Sequence, residues 1–439
     1  QYSTTLAVDA RRDVYLAFSH LYPEGEPPVG ERIRLKFSEP IIEPRGVNPK
    51  FKAKDQSGRT WRVKLGCETI AEPINQRLLW AMGYYGDHSW FRTHVTVTWD
   101  VGLGKLKLEN PEEAKLGCPW CYIEGVNFDP KKIAGATEPG AQALLARLRQ
   151  RYGDGLETAG ALSLPMDEVR SVLGFRTPRL SRQEAARFIA TMDASADSVV
   201  LSYLEMELRT RRDAKKTVVD GEVVRLDSWG WSRPPVRNDV ALAWLRASYL
   251  LFAFMAHTDV KSLNSKEYLV PRRERPYEEA FVPREYVYAI GFGDVGGGRN
   301  NYHFGLPDRL VLENPTRDRP IRLSYKTNYH HTEDANAFFA GLTWLDGKQF
   351  ARVFARLEAQ DFADALAAGG YGRDNFLAAW RKMLTRRDQL VNAYFPEEKK
   401  IADQYDPSRV REEGNDFLWT TRSGVVVRNP IVGVRDNRP

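Results

Sequence analysis

Apolar residues recur along this chain with two periods, and the places where the period changes mark out its elements. Residues 50–54 and 60–65 alternate apolar and polar side chains on either side of Asp55-Gln56-Ser57-Gly58, which predicts a hairpin. Residues 32–37 alternate in the same way, and 93–100, with His94-Val95-Thr96-Val97-Thr98-Trp99 inside it, predicts a further strand of the same sheet. Over 68–83 the spacing of Ile74, Leu78, Leu79 and Met82 is helical, with Pro73 suited to the first turn. Residues 138–215 read as mainly helical, most clearly over 141–152 and 182–192. The longest apolar run, 241–256, is interrupted by Arg246 and predicts a buried helix. Two strands follow at 267–270 and 286–290, then helices over 333–345, 347–359 and 374–394. The Gly-, Pro- and charge-rich stretch 102–125 predicts a hinge, and the polar stretch from Pro396 a tail.

A chain of 439 residues with 42% hydrophobic and 28% charged residues is a globular composition with room for two or three units. No apolar run reaches the ~20 residues that cross a bilayer, so no transmembrane segment is expected. The net charge of +6 is a small excess of 64 basic over 58 acidic residues spread through the chain, and nucleic acid is not implied. Arg272-Arg273-Glu274-Arg275 and Arg386-Arg387 read as solvated surface. The chain starts at Gln1 without a signal-like segment, and the expectation is that a leader or tag has been removed, with export to the periplasm or outside weighed against a cytoplasmic site. Of three cysteines, Cys118 and Cys121 form a Cys-Pro-Trp-Cys pair, read as a local disulfide or two thiols because structural zinc takes four ligands. His330-His331 reads as a surface turn.

The chemistry concentrates in His257-Thr258-Asp259-Val260-Lys261-Ser262-Leu263-Asn264, which follows the apolar helix. A carboxylate at Asp259 can accept the proton of an attacking hydroxyl, Lys261 can neutralise charge on a moving phosphoryl group, and the Asn264 amide oxygen can turn toward a metal ion. Taken alone, the octet is equally a capped turn. Lys64, in Trp61-Arg62-Val63-Lys64-Leu65, lies near the end of a strand, and Glu72, with Glu68 as the fallback, is a helical carboxylate that can orient it. Gly46 and Asn48, in Arg45-Gly46-Val47-Asn48-Pro49-Lys50, stand where a loop over phosphates is expected, although Gly-Val-Asn-Pro is also an ordinary turn. Asp294 ends a strand and is followed by Val295 and three glycines, a position for the main metal ligand.

In type and order, Lys64, Glu72, Asp259, Asn264 and Asp294 resemble the site of the protein-kinase-like superfamily, whose catalytic loop follows H-x-D-x-K-x-x-N. The likeness covers roughly residues 46–300 and points to atypical bacterial members of the HipA-like, CotH-like and secretory-pathway kinase type. The sequence departs from ordinary protein kinases in lacking a G-x-G-x-x-G loop and an A-P-E segment, in having Asp-Val-Gly for Asp-Phe-Gly, and in an insertion before Asp294. The resemblance implies an α+β, bilobal protein-kinase-like fold, with a small β-sheet-plus-helix N-lobe and a large, mainly helical C-lobe with insertions. It implies an N-terminal extension over 1–45, an N-lobe and hinge over 46–125, and a C-lobe with a helical insertion and C-terminal helices over 126–439. It implies ATP with Mg²⁺ or Mn²⁺: Asn264 and Asp294 on the metal, Lys64, Glu72, Gly46 and Asn48 at the nucleotide, and Asp259 and Lys261 catalytic. The implied activity is phosphoryl transfer to a protein or small-molecule hydroxyl. The alternatives are AMP transfer on the same fold and an inactive pseudokinase that acts as a binding protein.

Overall fold

The computed structural model describes residues 33–41, 48–66, 68–87, 89–99, 122–156, 158–160, 162–176, 180–202, 204–208, 224–228, 231, 239–257, 260, 264–271, 286–292, 333–369, 371, 373–396, 410–413, 416–420 and 426–430. The architecture is mixed α+β. The chain divides into two compact units, one of Pro27–Gly66 with Phe91–Leu208, the other of Gln1–Glu26, Cys67–Trp90 and Arg209–Pro439. The helix expected to carry Glu72 therefore falls in a different unit from the strand that carries Lys64.

The first unit is built on a nine-stranded mixed sheet. Its strands are β1 (Arg34–Ile41), β2 (Lys50–Lys54), β3 (Thr60–Leu65), β5 (Ser89–Arg92), β6 (Val95–Thr98), β7 (Ile123–Phe128), β8 (Leu162–Pro165), β9 (Ala196–Leu201) and β10 (Leu204–Leu208), in the order β5-β10-β3-β2-β1-β6-β9-β7-β8. The division between the units falls within β5. β1 pairs antiparallel with β2 and parallel with β6, so the strand before residue 46 shares a sheet with Lys64. Alternation sorts the face of this sheet. Phe51, Ala53, Trp61, Val63 and Leu65 are buried on one side, and Phe37 packs its ring against Phe51 at 5.8 Å.

Residues 138–215 are less helical than the periodicity predicts. Helices Pro139–Tyr152, Met166–Leu173 and Arg182–Ser195 form, but β8, β9 and β10 lie among them. The last of these helices starts on a capping box, in which Ser181 Oγ accepts from Glu184 N and the Glu184 carboxylate accepts from Ser181 N. The apolar run in Ala196–Leu201 continues the pattern of the preceding helix, yet β-branched Val199 and Val200 sit better between neighbouring strands.

The second unit carries a four-stranded sheet, ordered β11-β12-β13-β4, from β4 (Tyr85–Gly86), β11 (Val224–Ser228), β12 (Ser265–Pro271) and β13 (Tyr286–Phe292). A three-stranded antiparallel sheet is formed by β14 (Val410–Glu413), β15 (Asp416–Thr420) and β16 (Val426–Pro430). The apolar run is helix Asp239–Met255, with Leu245, Leu250, Leu251, Phe252 and Phe254 all buried. It packs on helices Glu333–Ala340, Trp344–Phe354 and Arg373–Tyr394. The segment read as one helix over 333–345 breaks at Ala340, because Thr343 caps the next helix in a reciprocal pair with Asp346.

Helix Glu68–Ala81 begins five residues before Pro73, which lies inside it and has no N–H to donate along the helix. Arg386 and Arg387, read as solvated, are 2% and 0% exposed. Their guanidinium groups serve backbone carbonyls, a role that residue type alone does not reveal. Among the described residues no helix is long and apolar enough to cross a membrane.

Candidate functional site

In the first unit the site residues are set by the β2–β3 hairpin. Its turn is held by one carboxylate: Asp55 Oδ1 accepts from Ser57 N (2.9 Å), Ser57 Oγ (2.6 Å) and Arg59 N (2.9 Å), and Oδ2 accepts from Trp61 Nε1 (2.9 Å). Burial pushes the Asp55 carboxyl up, but these hydrogen bonds outweigh it and leave its pKa below the ordinary aspartate value. The turn fixes the register, which pairs Lys52 with Arg62 and Lys50 with Lys64. Lys64 is 5% exposed and Lys50 8%.

The hairpin closes at its open end around Asn48. Leu65 N donates to Pro49 O at 2.9 Å, and the Asn48 carboxamide lies over Gly66. A Cβ at Gly66 would stand 2.2 Å from Asn48 Oδ1, and Gly66 has φ +133°, so both contact and backbone require glycine there. Lys64, Asn48 and Gly66 are thereby brought to one end of the hairpin. Gly46, assigned to the same loop, lies outside the described residues.

In the second unit the apolar helix ends on a left-handed residue that is not glycine. Ala256 has φ +53°, Ala256 N donates to Ala253 O (2.9 Å), and His257 N donates to Phe252 O (2.8 Å). That is a Schellman arrangement, completed by the His257 ring against Phe252 at 5.4 Å. Arg386, from helix Arg373–Tyr394, donates through Nε to Phe254 O (2.9 Å) and through Nη2 to Ala253 O (2.7 Å). A buried cation thus adds to the bonding of carbonyls in the last helical turn, where the helix dipole favours positive charge. Neighbouring Arg387 donates to Leu357 O at 2.9 Å and pairs with Asp388 at 2.8 Å.

The start of the octet is therefore pinned. His257 is 2% exposed and Val260 is buried with it, while Asp259 and Lys261 lie outside the described residues. Asn264, 9% exposed, stands directly before β12. The first residue of that strand, Ser265, pairs with Phe292, the last of β13. The chain that enters the sheet past Asn264 and the chain that leaves it toward Asp294 share one end. Asp294 itself lies outside the described residues.

Two residues emerge that the sequence reading did not single out. β4 runs parallel to β13 with Phe292 paired to Gly86, so Asp87, 2% exposed, follows β4 at the end where β13 also finishes. Its strand is two residues long and carries no periodic signal. Lys50 could have been found by counting outward from the Asp55 turn, which sets it opposite Lys64. Glu72 is 2% exposed, in a helix that packs on Ala359–Leu366 within the second unit. Among the described residues no three His, Cys, Asp or Glu side chains gather to hold a metal. Compared with family models, curated proteins and solved structures, the chain gives no match.

Proposed function

We propose that this chain is a nucleotide-dependent phosphotransferase of the kinase-like type, moving the γ-phosphate of ATP to a hydroxyl of a protein or small-molecule acceptor. The observation that supports this best is the β12–β13 register. Ser265 opposite Phe292 sets Asn264 beside the exit of β13, and Asp294 is two residues further along, a reach of no more than about 7 Å. The chain thus enters β12 and leaves β13 at one end of one sheet, each within two residues of a position read as metal-holding.

Lys64, with Asn48 beside it, takes phosphate oxygens. Asp259 positions the acceptor hydroxyl and receives its proton, and Lys261 carries positive charge to the transferred group. The residues assigned to the metal, Asn264 and Asp294, offer an amide and a carboxylate, with Asp87 as a further candidate carboxylate, and such oxygen ligands suit Mg²⁺ or Mn²⁺. The cation would supply charge neutralisation on the nucleotide phosphates.

The test is incubation of the protein with Mg²⁺ and ATP labelled at either the γ- or the α-phosphate. Transfer of the γ label supports the proposal, and transfer of the α label replaces it with AMP transfer. Binding with neither label transferred leaves a nucleotide-binding protein without the activity. Asp294→Ala is expected to lose Mg²⁺-dependent ATP affinity by about tenfold or more. Unchanged affinity removes Asp294 from the site.

A further inference from the structure

We infer that Arg246 and Tyr249 form an oxyanion-binding site in the second unit, one that takes the carboxylate or phosphate group of a small molecule. Neither residue is among those assigned above to the nucleotide, the metal or phosphoryl transfer, so the site stands apart from that reading.

Arg246 is the residue that interrupts the apolar run of helix Asp239–Met255, and Tyr249 lies at the i+3 position on the same face. Each rests on a ring of helix Glu333–Ala340. The Arg246 guanidinium stands 5.8 Å from the centre of the Phe338 ring, and the Tyr249 ring is 5.2 Å from that of Phe339. Trp231, 1% exposed, packs against the two phenylalanines at 5.3 and 4.7 Å and holds this aromatic floor in place. Gly341 leaves room for the guanidinium. A Cβ there would stand 3.1 Å from Arg246 Nε and Cζ, and Gly341 has no left-handed φ, so it is the arginine that a side chain would crowd.

The guanidinium is thus fixed in place while its donors go unused. Arg246 is half-buried, its Nε is shut off from solvent, and among the described residues it has no hydrogen-bond acceptor and no carboxylate partner. The end of helix Glu333–Ala340 favours a cation, yet its last carbonyls go to the backbone. Gly341 N donates to Phe338 O at 3.2 Å and Leu342 N to Phe339 O at 3.0 Å. Arg386 and Arg387, in the same unit, show the contrast, since both donate to backbone carbonyls. An arginine presents its N–H groups in a planar fork that matches a carboxylate or phosphate, and a half-buried one without an acceptor lacks such a partner. The half-buried Tyr249 hydroxyl likewise has no acceptor among the described residues. Burial pushes the Tyr249 pKa above the ordinary tyrosine value, so the phenol keeps its proton and donates. Side chains at i and i+3 on a helix start about 5–6 Å apart, within reach of one anion.

The experiment follows the Arg246 Nε–H nuclear magnetic resonance signal of the full chain at constant ionic strength, titrating inorganic phosphate in one series and acetate in the other. A saturable shift is expected, and the anion that binds tighter assigns the ligand as a phosphate or a carboxylate. No saturable shift with either anion overturns the inference, and so does an equal shift with chloride alone, which marks screening. Tyr249→Phe keeps the ring on Phe339 and removes only the hydroxyl. It is expected to weaken the tighter-binding anion by about tenfold, the loss of one hydrogen bond to a charged group. Unchanged affinity in the folded Tyr249→Phe protein overturns the two-donor site.

Discussion

Gly66 and Ala256 are two left-handed positions that the chain fills differently. At Gly66 the backbone conformation and the Asn48 carboxamide together exclude a side chain, whereas Ala256 accepts the strain of φ +53° to turn the chain into His257. Gly66→Ala is expected to cost about 2 kcal/mol or more of stability, seen as a lowered melting temperature, because Asn48 must give way and the conformation is unfavourable as well. A melting curve that matches wild type would show that Asn48 is not seated on Gly66. Single residues were legible from sequence only where their chemistry is local. His257 and Asn264 stand out in a motif and are both buried, but Arg386 reads as a surface cation and is buried on carbonyls of another helix. No spacing rule reveals which distant helix end an arginine will serve.

Among the elements, the β2–β3 hairpin was the most readable, since strict alternation about an Asp-Gln-Ser-Gly turn fixes both the faces and the register. Its stability is expected to depend on Asp55. The folded pKa is depressed, so the carboxylate stabilises the fold above the ordinary aspartate value near 3.9 and loses that contribution as pH falls through the folded value. Asp55→Asn should therefore melt below wild type at pH 7, with the gap closing as pH drops under about 4. A gap that is constant across that range would mean that the hydrogen bonds to Ser57, Arg59 and Trp61 do not depend on charge. β4 and β8–β10 were not legible, for a physical reason. A strand of two to six residues takes its stability from its neighbours in the sheet, and its own sequence need not alternate over a visible length.

At the scale of the whole molecule, the order of the chemistry along the chain was legible and its distribution among units was not. The sequence presents Lys64 and Glu72 eight residues apart, one strand and the next helix, yet compactness assigns them to different units. Which unit a helix joins depends on where its apolar face is buried, and helix Glu68–Ala81 packs on Ala359–Leu366, almost three hundred residues later. The convergence of Asn264 with the end of β13 depends likewise on long-range pairing, and it is what joins the separate motifs into a proposed site for phosphoryl transfer. Asp259 carries that proposal most directly, because its contribution would appear in the transition state. Asn serves a capped turn about as well as Asp, so a purely structural role survives the substitution. The decisive measurement is the rate of γ-phosphoryl transfer, or of ATP hydrolysis where no acceptor is known, for wild type and Asp259→Asn, with ATP affinity and a melting curve for each. The account predicts a fall in turnover of ~10²-fold or more at nearly unchanged affinity and stability. Full turnover by a stably folded Asp259→Asn protein would contradict it.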